Sequence, residues 1–208
     1  MGKICCLIGK SSSGKDTIFK KLVEDQELNL VPVISYTTRP IRQNEQNGIE
    51  YHFIDTKTLA HYEEMGKIIE RRDYETINGQ WSYCTIDDGQ IDLGQPVLYL
   101  LIATLEAYKN LKKYFGNHNV IPFYITVDDG IRLERALTRE KEQKNPNYDE
   151  LCRRFLADSI DFHCATLADC GIIKQYRNEN LIQCMQQIQV DLLAIQNQEK
   201  KTEMAKAK

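Results

Sequence analysis

Apolar positions follow two rhythms along this chain. Short uninterrupted apolar runs occur at Ile4–Ile8, Leu30–Ser35, Val97–Ile102 and Phe123–Val127, and a weaker one begins at Gly171–Ile173. Runs of this length predict strands buried on both faces, as in a parallel sheet. Between them the spacing turns helical. Asp16–Asp25 puts Ile18, Phe19, Leu22 and Val23 on one face, and Leu105–Phe115 does the same with Leu105, Tyr108, Leu111 and Phe115. Leu181, Met185, Ile188 and Leu192 mark a C-terminal helix. Strands alternating with helices predict an α/β protein with a doubly wound, parallel, five-stranded core sheet.

Two segments break the alternation. Residues 36–85 hold short alternating stretches (Glu50–Phe53, Lys67–Arg71, Gln80–Tyr83) around one helical pattern, which predicts a small inserted mixed α+β sub-domain. Residues 129–158 are polar, helical in spacing and rich in Arg, which predicts a helical lid. The core is then residues 1–35, 86–128 and 159–195. Residues 196–208 are Lys-rich without periodicity and are expected to be disordered.

Composition narrows the picture by exclusion. In 208 residues, 42% hydrophobic, there is enough for one core domain with small insertions. A net charge of −3 gives no global signal for nucleic acid or membrane, so anion binding has to come from local basic clusters. No apolar run approaches the roughly 18 residues of a membrane span. The seven cysteines show no CxxC spacing, their number is odd, and no signal peptide is read, so a cytoplasmic protein is expected. Nothing in the sequence speaks to oligomeric state.

The first strand runs straight into Gly9-Lys10-Ser11-Ser12-Ser13-Gly14-Lys15, with the spacing GxxxxGK of a P-loop, and then into a helix. Glycines let successive backbone N–H groups turn around a phosphate, the helix presents its positive end, and Lys15 reaches the β/γ oxygens. This makes the expected fold P-loop NTPase-like, with ATP on residues 9–17. The pattern wants Ser or Thr after the lysine to meet Mg²⁺. Here Asp16 stands there and Thr17 follows. Asp16 is either a first-turn acid favoured by the helix dipole or a ligand to Mg²⁺.

Residues 35–51 place Ser35, Arg39, Arg42, Glu45 and Tyr51 within seventeen positions. Two guanidinium forks with hydroxyls can wrap a phosphomonoester. Glu45 is explained either as an acceptor for base N–H donors or as a partner orienting an Arg. GKSSSGK followed by S-x-T-T-R-x-x-R-x-x-E-x-x-G-x-x-Y resembles guanylate kinase, over roughly residues 3–190. The resemblance implies transfer of the ATP γ-phosphoryl group to GMP. It assigns Ser35, Arg39, Arg42, Tyr51 and Tyr83 to the GMP phosphate, Glu45 and Glu70 to the guanine side, and Thr85 to guanine O6. It makes 36–85 the GMP-binding sub-domain. From 129–158 it draws Arg135, Arg139 and Arg154 over the transferring phosphoryl group, together with Lys15 and Arg39.

The sequence departs from that family in two places besides Asp16. Cys84 stands for a Gly, and the third strand ends Tyr99-Leu100-Leu101-Ile102-Ala103-Thr104 where the family has D-x-D. Asp after the P-loop lysine and the missing acids resemble ribose 1,5-bisphosphate phosphokinases instead, while a non-catalytic guanylate-kinase-like module is the other alternative. Glu45 and Glu70 favour GMP over a sugar phosphate, and an intact P-loop favours catalysis.

Overall fold

The computed structural model describes residues 1–42, 45–76 and 79–206. The elements in chain order are β1 (Lys3–Ile8), α1 (Lys15–Glu24), β2 (Leu30–Pro32), β3 (Tyr36–Thr37), β4 (His52–Phe53), α2 (Thr56–Glu64), β5 (Ile68–Thr76), β6 (Gly79–Ile86), β7 (Leu98–Ala103), α3 (Leu105–Phe115), β8 (Val120–Thr126), α4 (Asp129–Lys141), α5 (Tyr148–Asp161), α6 (Cys164–Asp169), β9 (Gln175–Arg177) and α7 (Leu181–Lys206). Five strands form a parallel sheet in the order β2-β7-β1-β8-β9.

Alternation along β1 divides the core. Ile4, Cys6 and Ile8 pack on one face of the sheet with Tyr99, Leu101 and the α3 residues Ala107, Tyr108 and Leu111. Cys5 and Leu7 pack on the other with Ile18 and Leu22 of α1 and Cys184, Ile188 and Leu192 of α7. Both faces of β1 are thus apolar, which is why it reads as an unbroken run. All seven cysteines are free thiols. Among the described residues, no helix is long and apolar enough to cross a membrane.

The remaining four strands make a mixed sheet, β4-β3-β6-β5, with its own small core of Tyr36, Leu59, Cys84 and Ile86. Its main body is the antiparallel β5–β6 hairpin, which pairs Glu70 with Thr85, Arg72 with Tyr83 and Tyr74 with Trp81.

Three expectations need correcting. The run Leu30–Ser35 is not one strand: β2 ends at Pro32, which cannot donate to a ladder, and the chain crosses into the second sheet at Tyr36. The fifth core strand does not begin at Gly171–Ile173. Gly171 is at φ +69°, Ile172 alone is buried while Ile173 is 92% exposed, and pairing starts at Gln175. The tail is not disordered over 196–206, because α7 continues to Lys206. Gln196 Nε2 bonds the Leu28 carbonyl, and Glu199 receives the N-terminal ammonium at 3.4 Å and Lys3 Nζ at 3.5 Å. Residues 207 and 208 lie outside the described residues.

Candidate active site

The P-loop joins the C-terminal end of β1 to α1. Helices α2, α3, α4 and α5 each begin with a side chain capping their N–H groups: Asp55, Thr104, Asp128 and Asn147. Helix α1 instead begins at Gly14, at φ +92°, with no side-chain cap. Its first N–H groups are therefore left for an outside anion. Both glycines are required by contact. A Cβ at Gly9 would collide with the Ile125 carbonyl, and one at Gly14 with the Asn178 amide. Lys15 Nζ folds back onto the carbonyls of Gly9 at 2.7 Å and Lys10 at 2.9 Å. Burial lowers its pKa from the ordinary 10.5. Ser13 Oγ is buried and unpartnered, while Asp16 and Thr17 are exposed on the first turn.

The lid helices lie directly on this loop. Arg139 Nη2 reaches Ser12 Oγ at 3.3 Å, and Arg135 Nη2 reaches the Asn178 carbonyl at 3.1 Å. Arg154 and Arg139 line a pocket of about 10 Å³ with Ser11, Ser12 and Arg132. Arg132 Nη2 is buried without a hydrogen-bond partner, while Arg154 Nε has Glu150 Oε1 at 3.5 Å.

Sequence reasoning missed the residues that fasten lid to loop. Arg132 is 1% exposed, stacks 4.4 Å from the Phe155 ring, and pairs with Asp158 at 3.0 Å and Asp129 at 2.9 Å. Together Arg132 and Asp158 hold both sides of Ser11: Arg132 Nη1 donates to its carbonyl at 3.1 Å, and its N–H donates to Asp158 at 2.8 Å. Lys10 also pairs with Asp129 at 3.2 Å. Asn178, at the end of β9, donates to the Ser13 carbonyl at 2.7 Å. Arg132 precedes Arg135 by three and Arg139 by seven, so its place on the loop-facing side of α4 was legible. Asp158 and Asn178 gave no such signal.

The acceptor segment brings most of its named residues together. Arg39 is 3% exposed, and its guanidinium lies over the paired rings of Tyr51 (5.6 Å) and Phe53 (5.5 Å). It donates to both oxygens of Glu45, at 2.8 and 3.0 Å, to Tyr83 Oη at 3.2 Å and to the Pro40 carbonyl at 2.8 Å. Of the two roles open to Glu45, the geometry is that of an Arg-orienting partner. Burial opposes its charge, but Arg39 and the Arg42 N–H outweigh that and keep its pKa low. Arg42 is exposed, and its charge reaches Glu150 on α5. Burial first, then Tyr83 and Asp16, pushes the Tyr51 phenol up to about 12. Lys20 of α1 bridges to Glu50 at 3.1 Å. Ser35 is half-buried, and its carbonyl accepts from His52 N–H at 2.9 Å.

The two residues expected on the base meet each other: Thr85 Oγ1 donates to Glu70 Oε1 at 2.9 Å. The Glu70 side chain has no exposed surface. Arg72 grips it through Nε at 2.9 Å and Nη2 at 3.2 Å, and reaches Thr104 Oγ1 with Nη1 at 3.2 Å. The absence of acids after β7 thus coincides with a guanidinium beside that strand's end. Among the described residues, no group of three or more His, Cys, Asp or Glu side chains is placed to hold a metal ion.

The family model described as guanylate kinase matches residues 1–151. The chain belongs to the guanylate kinase family. A guanylate kinase of Porphyromonas gingivalis is 25% identical over 189 residues, 90% of this chain and 95% of its own length. One of Chlorobium chlorochromatii is 29% identical over 164 residues, 77% of this chain and 84% of that protein. The crystal structure of guanylate kinase from Anaplasma phagocytophilum superposes with a TM-score of 0.62 at 23% identity, covering 94% of this chain and 86% of that one, and so shares the fold. Against that family background, the Arg132–Asp158 clamp and the Glu70–Arg72 pair are the features that neither the motifs nor the resemblance had singled out.

Proposed function

We propose that this chain is a guanylate kinase that transfers the γ-phosphoryl group of ATP to GMP, giving ADP and GDP. The observation that carries the reading is the Lys20–Glu50 pair, which at 3.1 Å links α1, with Lys15 at its uncapped start, to the segment that holds Arg39 and Tyr51.

Transfer between two phosphates needs alignment and charge neutralisation more than covalent chemistry. The turn Gly9–Thr17 cradles the ATP phosphates with its N–H groups, and Lys15 leaves its carbonyl partners for them. Arg39, Arg42, Ser35, Tyr51 and Tyr83 hold the GMP phosphate, with Glu45 fixing the plane of Arg39. Arg135, Arg139 and Arg154 supply positive charge from the lid. The base lies along Glu70, Thr85 and Arg72. Asp16, exposed on the first turn beyond the loop, fits as the carboxylate for Mg²⁺, in the manner of sites that combine one carboxylate with substrate phosphates and waters. When bound, Mg²⁺ offsets the charge of the β- and γ-phosphates. The lid excludes water, so the nucleotide is the acceptor. We read the protein as cytoplasmic, with small-molecule substrates and no nucleic-acid partner; seven free thiols and local rather than global positive charge support this.

The test is a coupled ADP-release assay across GMP, dGMP, AMP, UMP and ribose 1,5-bisphosphate. GMP-dependent turnover is expected. Turnover confined to ribose 1,5-bisphosphate would replace the reading with a sugar-phosphate kinase, and none with any acceptor would leave a binding module.

A further inference from the structure

The chain crosses between its two sheets twice, and side chains without a role in the reading above tie the crossings together. On the way out, Val33 N–H donates to the Leu100 carbonyl of the core sheet at 2.8 Å, and Tyr36 pairs with Cys84 in the mixed sheet. Ser35 stands between them. β2 has ended at Pro32 and β3 starts at Tyr36, so Ser35 belongs to neither strand. On the way back, β6 ends at Ile86 and the chain turns through residues 87–90. Gly89 makes that turn at φ +92°, where glycine is favoured.

This turn grips both neighbours of Ser35. Gln90 Oε1 accepts from Ile34 N–H at 2.9 Å, and Gln90 Nε2 donates to the Ile34 carbonyl at 3.3 Å. That carbonyl lies in the same planar peptide as Ser35 N, so one primary amide sets the plane from which Ser35 begins. On the other side, the Tyr36 phenol donates to Asp88 Oδ2 at 2.5 Å. Asp88 joins the two grips. Its Oδ2 also accepts from Gln90 Nε2 at 2.8 Å, and its Oδ1 from Gln90 N–H at 3.0 Å. Burial opposes the charge of Asp88, but the Tyr36 phenol and the Gln90 N–H groups outweigh it and hold the carboxyl below its usual range. The Tyr36 ring lies against His52, with centroids 4.6 Å apart.

A serine needs such support more than an arginine does. Its hydroxyl stands one torsion from the main chain, so it can go only where the main chain puts it. Arg39 and Arg42 reach an anion on long, adjustable stems. We propose that Gln90 and Asp88 are positioning residues for the acceptor phosphate, holding the two neighbours of Ser35 so that its hydroxyl meets a GMP phosphate oxygen. The proposal rests on the kinase reading and on Ser35 as one of its phosphate ligands.

The experiment measures kcat and KM for GMP and for ATP on the full-length chain, with Ser35→Ala, Gln90→Met, Tyr36→Phe and the double variant Ser35→Ala with Gln90→Met. Methionine keeps the length of glutamine and removes its hydrogen bonds. Ser35→Ala should raise KM for GMP about tenfold, Gln90→Met about fivefold and Tyr36→Phe about twofold, each leaving KM for ATP within about twofold. The double variant should match Ser35→Ala alone, because Gln90 acts through Ser35. A merely structural Gln90 would multiply the two losses to about fiftyfold, and that result overturns the proposal. So does a KM for GMP that Gln90→Met leaves unchanged. A KM for GMP untouched by Ser35→Ala overturns it as well and leaves the kinase reading standing. Should Gln90→Met fail to fold, Tyr36→Phe, which keeps its ring in the small core, carries the same comparison with Ser35→Ala. Absence of GMP-dependent turnover in the wild type removes the kinase reading and this proposal together.

Discussion

Lys15 donates to two loop carbonyls, so its ammonium is held at the loop by partners that a phosphate can replace. Lys15→Ala should lower kcat by a factor on the order of 10³ in the ADP-release assay, with circular dichroism unchanged, because the residue faces ligand and not core. Burial also makes its charge easier to lose than that of an ordinary lysine. Above the lowered pKa the amine is neutral and no longer attracts phosphate. The alkaline limb of kcat/KM for ATP is therefore expected to begin below pH 10.5, and Lys15→Arg to abolish that limb. Asp16 poses a question of the same scale. If it holds Mg²⁺, Asp16→Asn raises the magnesium concentration for half-maximal rate and Asp16→Ser partly restores it. Coincident magnesium titrations would leave it as a dipole-stabilising acid, worth about 0.3–1 kcal/mol to the helix.

Helices α4 and α5 owe their position to a charged contact, since Arg132 and Asp158 meet inside the lid and jointly grip Ser11. Asp158→Ala leaves the buried Arg132 guanidinium with Asp129 as its carboxylate partner and should cost about 1–3 kcal/mol in thermal melts. Replacing both partners with leucine should recover most of that stability. ATP affinity, measured by titration calorimetry, should stay weak in both variants, because the Ser11 peptide is released in each. Affinity that returned with stability would show the clamp to be structural only.

These same elements show what the sequence could say. The buried positions of α3 were readable because one helical face meets one sheet face, and β1 because both its sides are covered. The P-loop was readable because its GxxxxGK spacing is complete within seven residues between β1 and α1, although the contacts that require its glycines come from the distant Ile125 and Asn178. Asp158 was not, because its meaning lies in a partner 26 residues away on another helix. Arg72 was hidden similarly. Two residues after Glu70 on a strand, it looks like a solvated charge, and only its bonds to the buried Glu70 and to Thr104 make it an interior one. The late start of β9 was illegible because an apolar triplet there is mostly exposed, with only Ile172 buried.

For the molecule as a whole, the two sheets are joined by polar ties, Lys20 to Glu50 and Arg72 to Thr104. The chain ends are joined by another, with Glu199 answering both the N-terminal ammonium and Lys3. Ending the chain after Gln198 should cost about 1 kcal/mol, because the ammonium of Met1 is exposed and the pair of Lys3 with Glu199, at 3.5 Å, is only partly buried. The melting temperature should fall by about 2–4 °C. A tail without structure would give no shift, and a larger loss would mean that the last turns of α7 pack more firmly than their exposure implies.

The strand order has a consequence in time. β1 is the middle strand of the sheet, and its two neighbours, β7 and β8, are residues 98–103 and 120–126. At a synthesis rate of about 5–20 residues per second, the first strand waits roughly 5–20 s for its nearest partner to emerge. During that interval Ile4-Cys5-Cys6-Leu7-Ile8, the most apolar part of the finished core, has nothing to pair with. The nascent chain therefore passes through a window in which it depends on the cell to keep that strand from pairing elsewhere.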